Sequence, residues 1–113
     1  MRVFILCTAL LLCALKVEAV PPIPDDATFY TSGPIGECGG SLVLSYVYTT
    51  KDGNTIVIMK KPNKEAVVYF LYANPPEIPG DILEVYVRDE KMTEEQLRSR
   101  YPNLCSAFNE VKL

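Results

Sequence analysis

The sequence predicts a mainly β domain: an antiparallel meander of about four strands with a short C-terminal helix, either a partial barrel or an open sheet. Three observations carry this. Between positions 41 and 88 the chain holds four runs dense in Val, Ile, Leu, Tyr and Phe. Turn-forming residues separate them. Beyond Asp89 the apolar spacing changes from a strand period to a helical one.

The first run covers residues 41–49 and ends at Lys51-Asp52-Gly53, where Asp-Gly supplies the positive φ that a tight hairpin needs. The second, residues 54–60, ends at Pro62-Asn63-Lys64, a composition suited to a type I turn. The third covers 65–73. A stiff connector at 74–80 with three prolines leads to the fourth, residues 82–88. Thr93-Glu94-Glu95-Gln96 then matches a capping box, with acids in the first turn and Arg98 and Arg100 near the end, so a short helix begins here. Pro102 makes Tyr101 its last expected residue. Leu104 and Phe108 follow as apolar anchors beside Cys105.

The N-terminus divides the chain into three parts. Residues 1–19 read as a cleavable signal peptide: Arg2, an apolar run from Val3 to Leu15, then Val17 and Ala19 as small residues before a cut. The run is too short for a span of about 20 residues, and a buried helix of this composition would have no polar face. Residues 20–34, rich in proline and acid, read as an extended lead-in, and residues 35–113 as a disulfide-linked β-rich domain. Four glycines and a proline around Cys38 read as an irregular entry to that domain, with regular structure from Ser41. The expected location is secreted and extracellular.

Cleavage after Ala19 leaves 94 of the 113 residues and removes Arg2, Lys16 and Glu18, so nine basic residues face thirteen acidic ones, a net charge of −4. A mildly acidic chain whose basic residues cluster only at Lys60, Lys61 and Lys64 offers nucleic acid no electrostatic footprint. Anionic membrane surfaces are disfavoured for the same reason. Cleavage also removes Cys7 and Cys13, leaving Cys38 and Cys105. In an oxidising compartment these pair most simply with each other, the alternative being an intermolecular bond. The internal bond would close a 67-residue loop and restrict the unfolded chain by about 4 kcal/mol.

Histidine is absent, which excludes Ser-His and Cys-His nucleophiles and the usual zinc sites. The acidic pairs Asp25-Asp26, Asp89-Glu90 and Glu94-Glu95 are explained by solvation or helix capping. No enzyme, metal or cofactor is expected. The strands are more informative, because residues two apart share a face. One face of the first run carries Leu42, Leu44, Tyr46 and Tyr48, the other Val43, Ser45 and Val47, and the next two runs are apolar on both faces as well. A sheet wet on one side alternates, so each face needs a cover: a closed barrel around a ligand, the C-terminal helix, or a partner chain. In the fourth run Glu84, Tyr86 and Arg88 oppose Leu83, Val85 and Val87. They either face solvent or supply the polar groups of a small-molecule pocket.

The segment from Gly80 through Asp89, followed by Glu90-Lys91-Met92-Thr93-Glu94-Glu95-Gln96-Leu97, resembles the last barrel strand, Arg-containing exit and C-terminal helix of a lipocalin. Cys38, the strands, the helix and Cys105 come in an order similar to that family's. The resemblance implies a binding protein for a small apolar or amphipathic ligand, with Tyr46, Tyr48, Glu84, Tyr86 and Arg88 as ligand contacts. Four strands cannot close a barrel around a ligand, so it implies a shortened relative or a homodimer. The other expectation is a secreted effector or inhibitor that binds an extracellular protein through an apolar sheet face or the Pro-rich loop.

Overall fold

A computed structural model describes residues 20–109. The expected signal peptide at 1–19 and the last residues of the domain, 110–113, lie outside the described residues. Six strands form one antiparallel sheet in sequential order: β1 Thr28–Cys38, β2 Ser41–Thr49, β3 Thr55–Lys60, β4 Val68–Tyr72, β5 Ile82–Val87 and β6 Glu90–Met92. Two helices follow, α1 Glu94–Arg100 and α2 Leu104–Asn109. The meander is therefore present, but as an open sheet of six strands rather than four, with β1 and β6 at its edges.

The added strand β1 occupies much of what the sequence suggests is lead-in and irregular entry. Gly39 and Gly40 both have positive φ, 62° and 82°, and join Cys38 to its partner Ser41 as a two-residue hairpin turn. Both central positions of such a turn need φ above zero, which glycine adopts freely. Gly33, Pro34 and Gly36 are tolerated because β1 is an edge strand with irregular register at two places, between Phe29 and Thr31 and between Pro34 and Gly36. The other added strand, β6, has only three residues and pairs Val87 with Glu90 across a turn begun by Arg88 at φ 57°.

The remaining turns follow composition with one change. Gly53 has φ 85° and its N–H donates to the Thr50 carbonyl at 3.0 Å. Asn63 has φ 61°, which makes Lys61-Pro62-Asn63-Lys64 type II rather than the expected type I. Helix α1 starts as read: Thr93 Oγ1 accepts from the Gln96 N–H, and the Thr93 N–H donates to Gln96 Oε1 at 2.9 Å. Asn103 and Ser106 exchange similar bonds at the start of α2, where Asn103 Oδ1 accepts from the Ser106 N–H at 3.0 Å and Ser106 Oγ from the Asn103 N–H at 3.3 Å.

The core has two parts, one on each face. Val68, Phe70, Val85, Val87 and Met92 are buried beneath the helices together with Ala107, and Leu97, Tyr101 and Phe108 pack against them. Ile56, Ile58 and Tyr69 form the second part, with Val20 and Ile23 of the N-terminal segment packed on it. So the helix is one of the expected covers, and the lead-in, not a barrel wall, is the other. Cys38 and Cys105 are bonded, which fastens α2 to the end of β1.

Candidate functional site

Cross-strand register sets residues opposite one another on the same face, and here it builds two rows. Tyr86 pairs with Tyr69, Tyr69 with Ile58, Ile58 with Tyr46 and Tyr46 with Ser32. Beside it, Glu84 pairs with Leu71, Leu71 with Ile56, Ile56 with Tyr48 and Tyr48 with Phe29. Four of the expected contact residues, Tyr46, Tyr48, Glu84 and Tyr86, are thus brought to one face.

Arg88 is separated from them. Strand alternation would carry it to the same face, but the chain turns at its positive φ, and Arg88 Nη2 donates to the Ala107 carbonyl at 3.0 Å. Its guanidinium therefore serves the end of α2 on the opposite side of the sheet. Alternation fails at Leu83 as well, where a register shift between β4 and β5 leaves that side chain exposed.

The aromatic face is ordered by ring contacts. Tyr69 and Tyr86 meet edge to face with centroids 5.6 Å apart, and Phe29 and Tyr48 do so at 5.7 Å. Such arrangements exploit the ring quadrupole. Charges stand within and around the rows: Lys60 Nζ lies 5.5 Å from the centre of the Tyr46 ring, and Lys91 Nζ is 4.0 Å from Glu84. Tyr69, only 6% exposed, has its pKa raised by burial first and then by the charges of Glu84 and Tyr86. The phenol therefore holds its proton beyond the ordinary value of 10.0.

The exposed apolar side chains adjoin this face. Phe29, Tyr30 and Ile35 are on β1 and Leu42 on β2, with Phe29 54% exposed. At the tip of the Pro-rich connector Ile78 is 72% exposed, held in a turn by its N–H donating to the Pro75 carbonyl at 3.0 Å. Glu77 of the same connector reaches Tyr30, whose phenol pKa it raises. The connector and β1 thus meet at one end of the sheet. Sequence reading missed β1's share of this surface, although Gly39-Gly40 between two β-rich runs is a hairpin signal.

Among the described residues no three acidic or cysteine side chains stand together as a metal site. Comparison with family models, curated proteins and solved structures returns no match.

Proposed function

We propose that the mature chain is a secreted protein that binds another extracellular protein through the aromatic face, the β1 edge and the Pro-rich connector. One observation carries this reading. Tyr46, Tyr48, Tyr86 and Phe29 stand on one face of an open sheet around the buried Tyr69, with exposed Tyr30, Ile35 and Leu42 on the strands β1 and β2 at its edge.

Protein interfaces are enriched in such side chains, because they provide large contact area while losing little conformational freedom. A site for an enclosed small molecule surrounds most of its ligand. Tyr46, Tyr48, Glu84 and Tyr86 instead lie on one wall, which suits a broad partner. Export rests on the N-terminal pattern, and the disulfide is in keeping with it.

The test is capture of a binding partner from extracellular fluid by the immobilised, signal-cleaved protein. A Tyr46→Ala/Tyr86→Ala variant should lose the captured protein, and Glu95→Ala, on exposed helix surface, should retain it. Equal capture by all three would sink the proposal.

A further inference from the structure

The helix-covered side of the sheet contains a cleft of about 230 Å3. Met59, Val68 and Phe70 form its sheet wall, and Leu97, Leu104 and Ala107 its helix wall. Tyr101 and Asn103 complete the lining. We infer that this cleft is a binding site for a small apolar molecule carrying one hydrogen-bonding group.

The space results from how its roof is built. Helices α1 and α2 have seven and six residues and are broken apart at Pro102, so they cannot present one continuous face to the sheet. Each is also held in place. Arg100 Nη1 donates to Glu90 Oε2 at 2.8 Å and so ties the end of α1 to β6. The Cys38–Cys105 bond and the Arg88 hydrogen bond to Ala107 fix α2 from two sides. A roof tied at these points is restrained from settling into the space below it. The cleft opens to solvent, so its apolar lining stays in contact with water until a ligand covers it, and covering that lining is the driving force for an occupant.

Its size and lining select the ligand. Apolar cavities of about 150 Å3 stay dry and accept benzene, whereas drug-sized sites run from about 300 Å3 upward. This cleft falls between them, matching a medium-chain alcohol or a single aromatic ring. Met59 adds an adaptable wall. Asn103 lies at the junction of the helices with its Oδ1 held by the Ser106 N–H, so its amide Nδ2 is the donor that one hydroxyl or carbonyl of a ligand would meet. The site is on the opposite side of the sheet from the proposed protein contact and is independent of it.

The probe is n-octanol, titrated into the signal-cleaved, disulfide-bonded protein while methyl resonances are followed by NMR. Saturable shifts are expected at Met59, Leu97 and Leu104, with Ile56 and Ile58 on the other face unmoved. Ala107→Leu fills the cleft and should weaken octanol binding about tenfold or more. Leu104→Ala enlarges it and should move the preference from hexanol toward decanol. The inference is overturned by a lack of saturable shifts at those methyls, by shifts at the isoleucines instead, or by a folded Ala107→Leu protein that binds octanol as wild type does. Should Ala107→Leu not fold, an unchanged chain-length preference in Leu104→Ala overturns it equally.

Discussion

On one face of the sheet two helices lie over Val68, Phe70, Val85 and Val87, tied down by a disulfide and by the Arg88–Ala107 hydrogen bond. On the other, a few residues around Val20 and Ile23 lie over Ile56, Ile58 and Tyr69. Their backbone turn is closed within the segment, the Ala27 N–H donating to the Pro24 carbonyl at 3.1 Å, and Pro21, Pro22 and Pro24 have no N–H to give the sheet. Both covers keep apolar surface from water. They differ in what must break for the surface to be uncovered: a covalent bond and folded helices in the first case, side-chain contacts in the second. The face with the weaker cover is the one that carries the tyrosine rows.

The largest test removes the covalent tie. Replacing Cys38 and Cys105 with alanine should cost about 4 kcal/mol of unfolding free energy, measured by urea titration. A loss under about 1 kcal/mol would mean that the helices hold their place without it. Next, Phe70→Ala under the helices should cost about 3–5 kcal/mol in the same assay. Deleting residues 20–23 should cost only about 1–2 kcal/mol, since Val20 and Ile23 are half-buried and a fully buried side chain of this kind contributes about 1.5–3 kcal/mol. Equal losses from the Phe70 change and the deletion would erase the contrast between the faces. A smaller effect belongs to the helix side: Thr93→Ala should cost about 1 kcal/mol through loss of the N-cap, visible as a lowered melting temperature.

The finest test uses pH. Tyr69 and Tyr72 both have pKa values raised above the ordinary 10.0, Tyr69 by burial and then Glu84 and Tyr86, Tyr72 by burial and then Glu94. A phenol held protonated in the fold contributes stability that is fully present below the unfolded value near 10. That stability is lost as pH climbs from there through the raised folded value. Each Tyr→Phe change should therefore flatten the fall in stability above pH 10. In the protein lacking residues 20–23, the Tyr69 titration should move back toward 10.0 while that of Tyr72 stays, as read by tyrosinate absorbance. Movement of both together would show that the two covers are not separate.

Much of this contrast is legible in the sequence. Strands whose two faces are both apolar demand two covers, and the capping box at Thr93 identifies the start of one of them. The bounds of β2 coincide with the first β-rich run because Gly39-Gly40 and the Asp52-Gly53 turn mark its ends. The second cover was not legible, since Val20 and Ile23 are scattered among prolines and show no period that marks them as packing residues. β1 was obscured by its glycines and proline, which an edge strand with bulges accommodates although a central strand does not. Tyr46, Tyr48, Glu84 and Tyr86 could be grouped from alternation alone. Arg88 could not be placed, because alternation ends where a chain turns.

The bond between Cys38 and Cys105 has a further consequence for a protein exposed to proteases. It encloses the sequence from Gly39 to Leu104, and the Pro-rich connector with exposed Ile78 at its tip lies inside that loop. A cut there would divide the polypeptide into two chains. It would not release either of them, because the piece ending in β4 would remain joined through Cys38 to the piece that carries Cys105. Nicked at this connector, the protein would stay one covalent molecule.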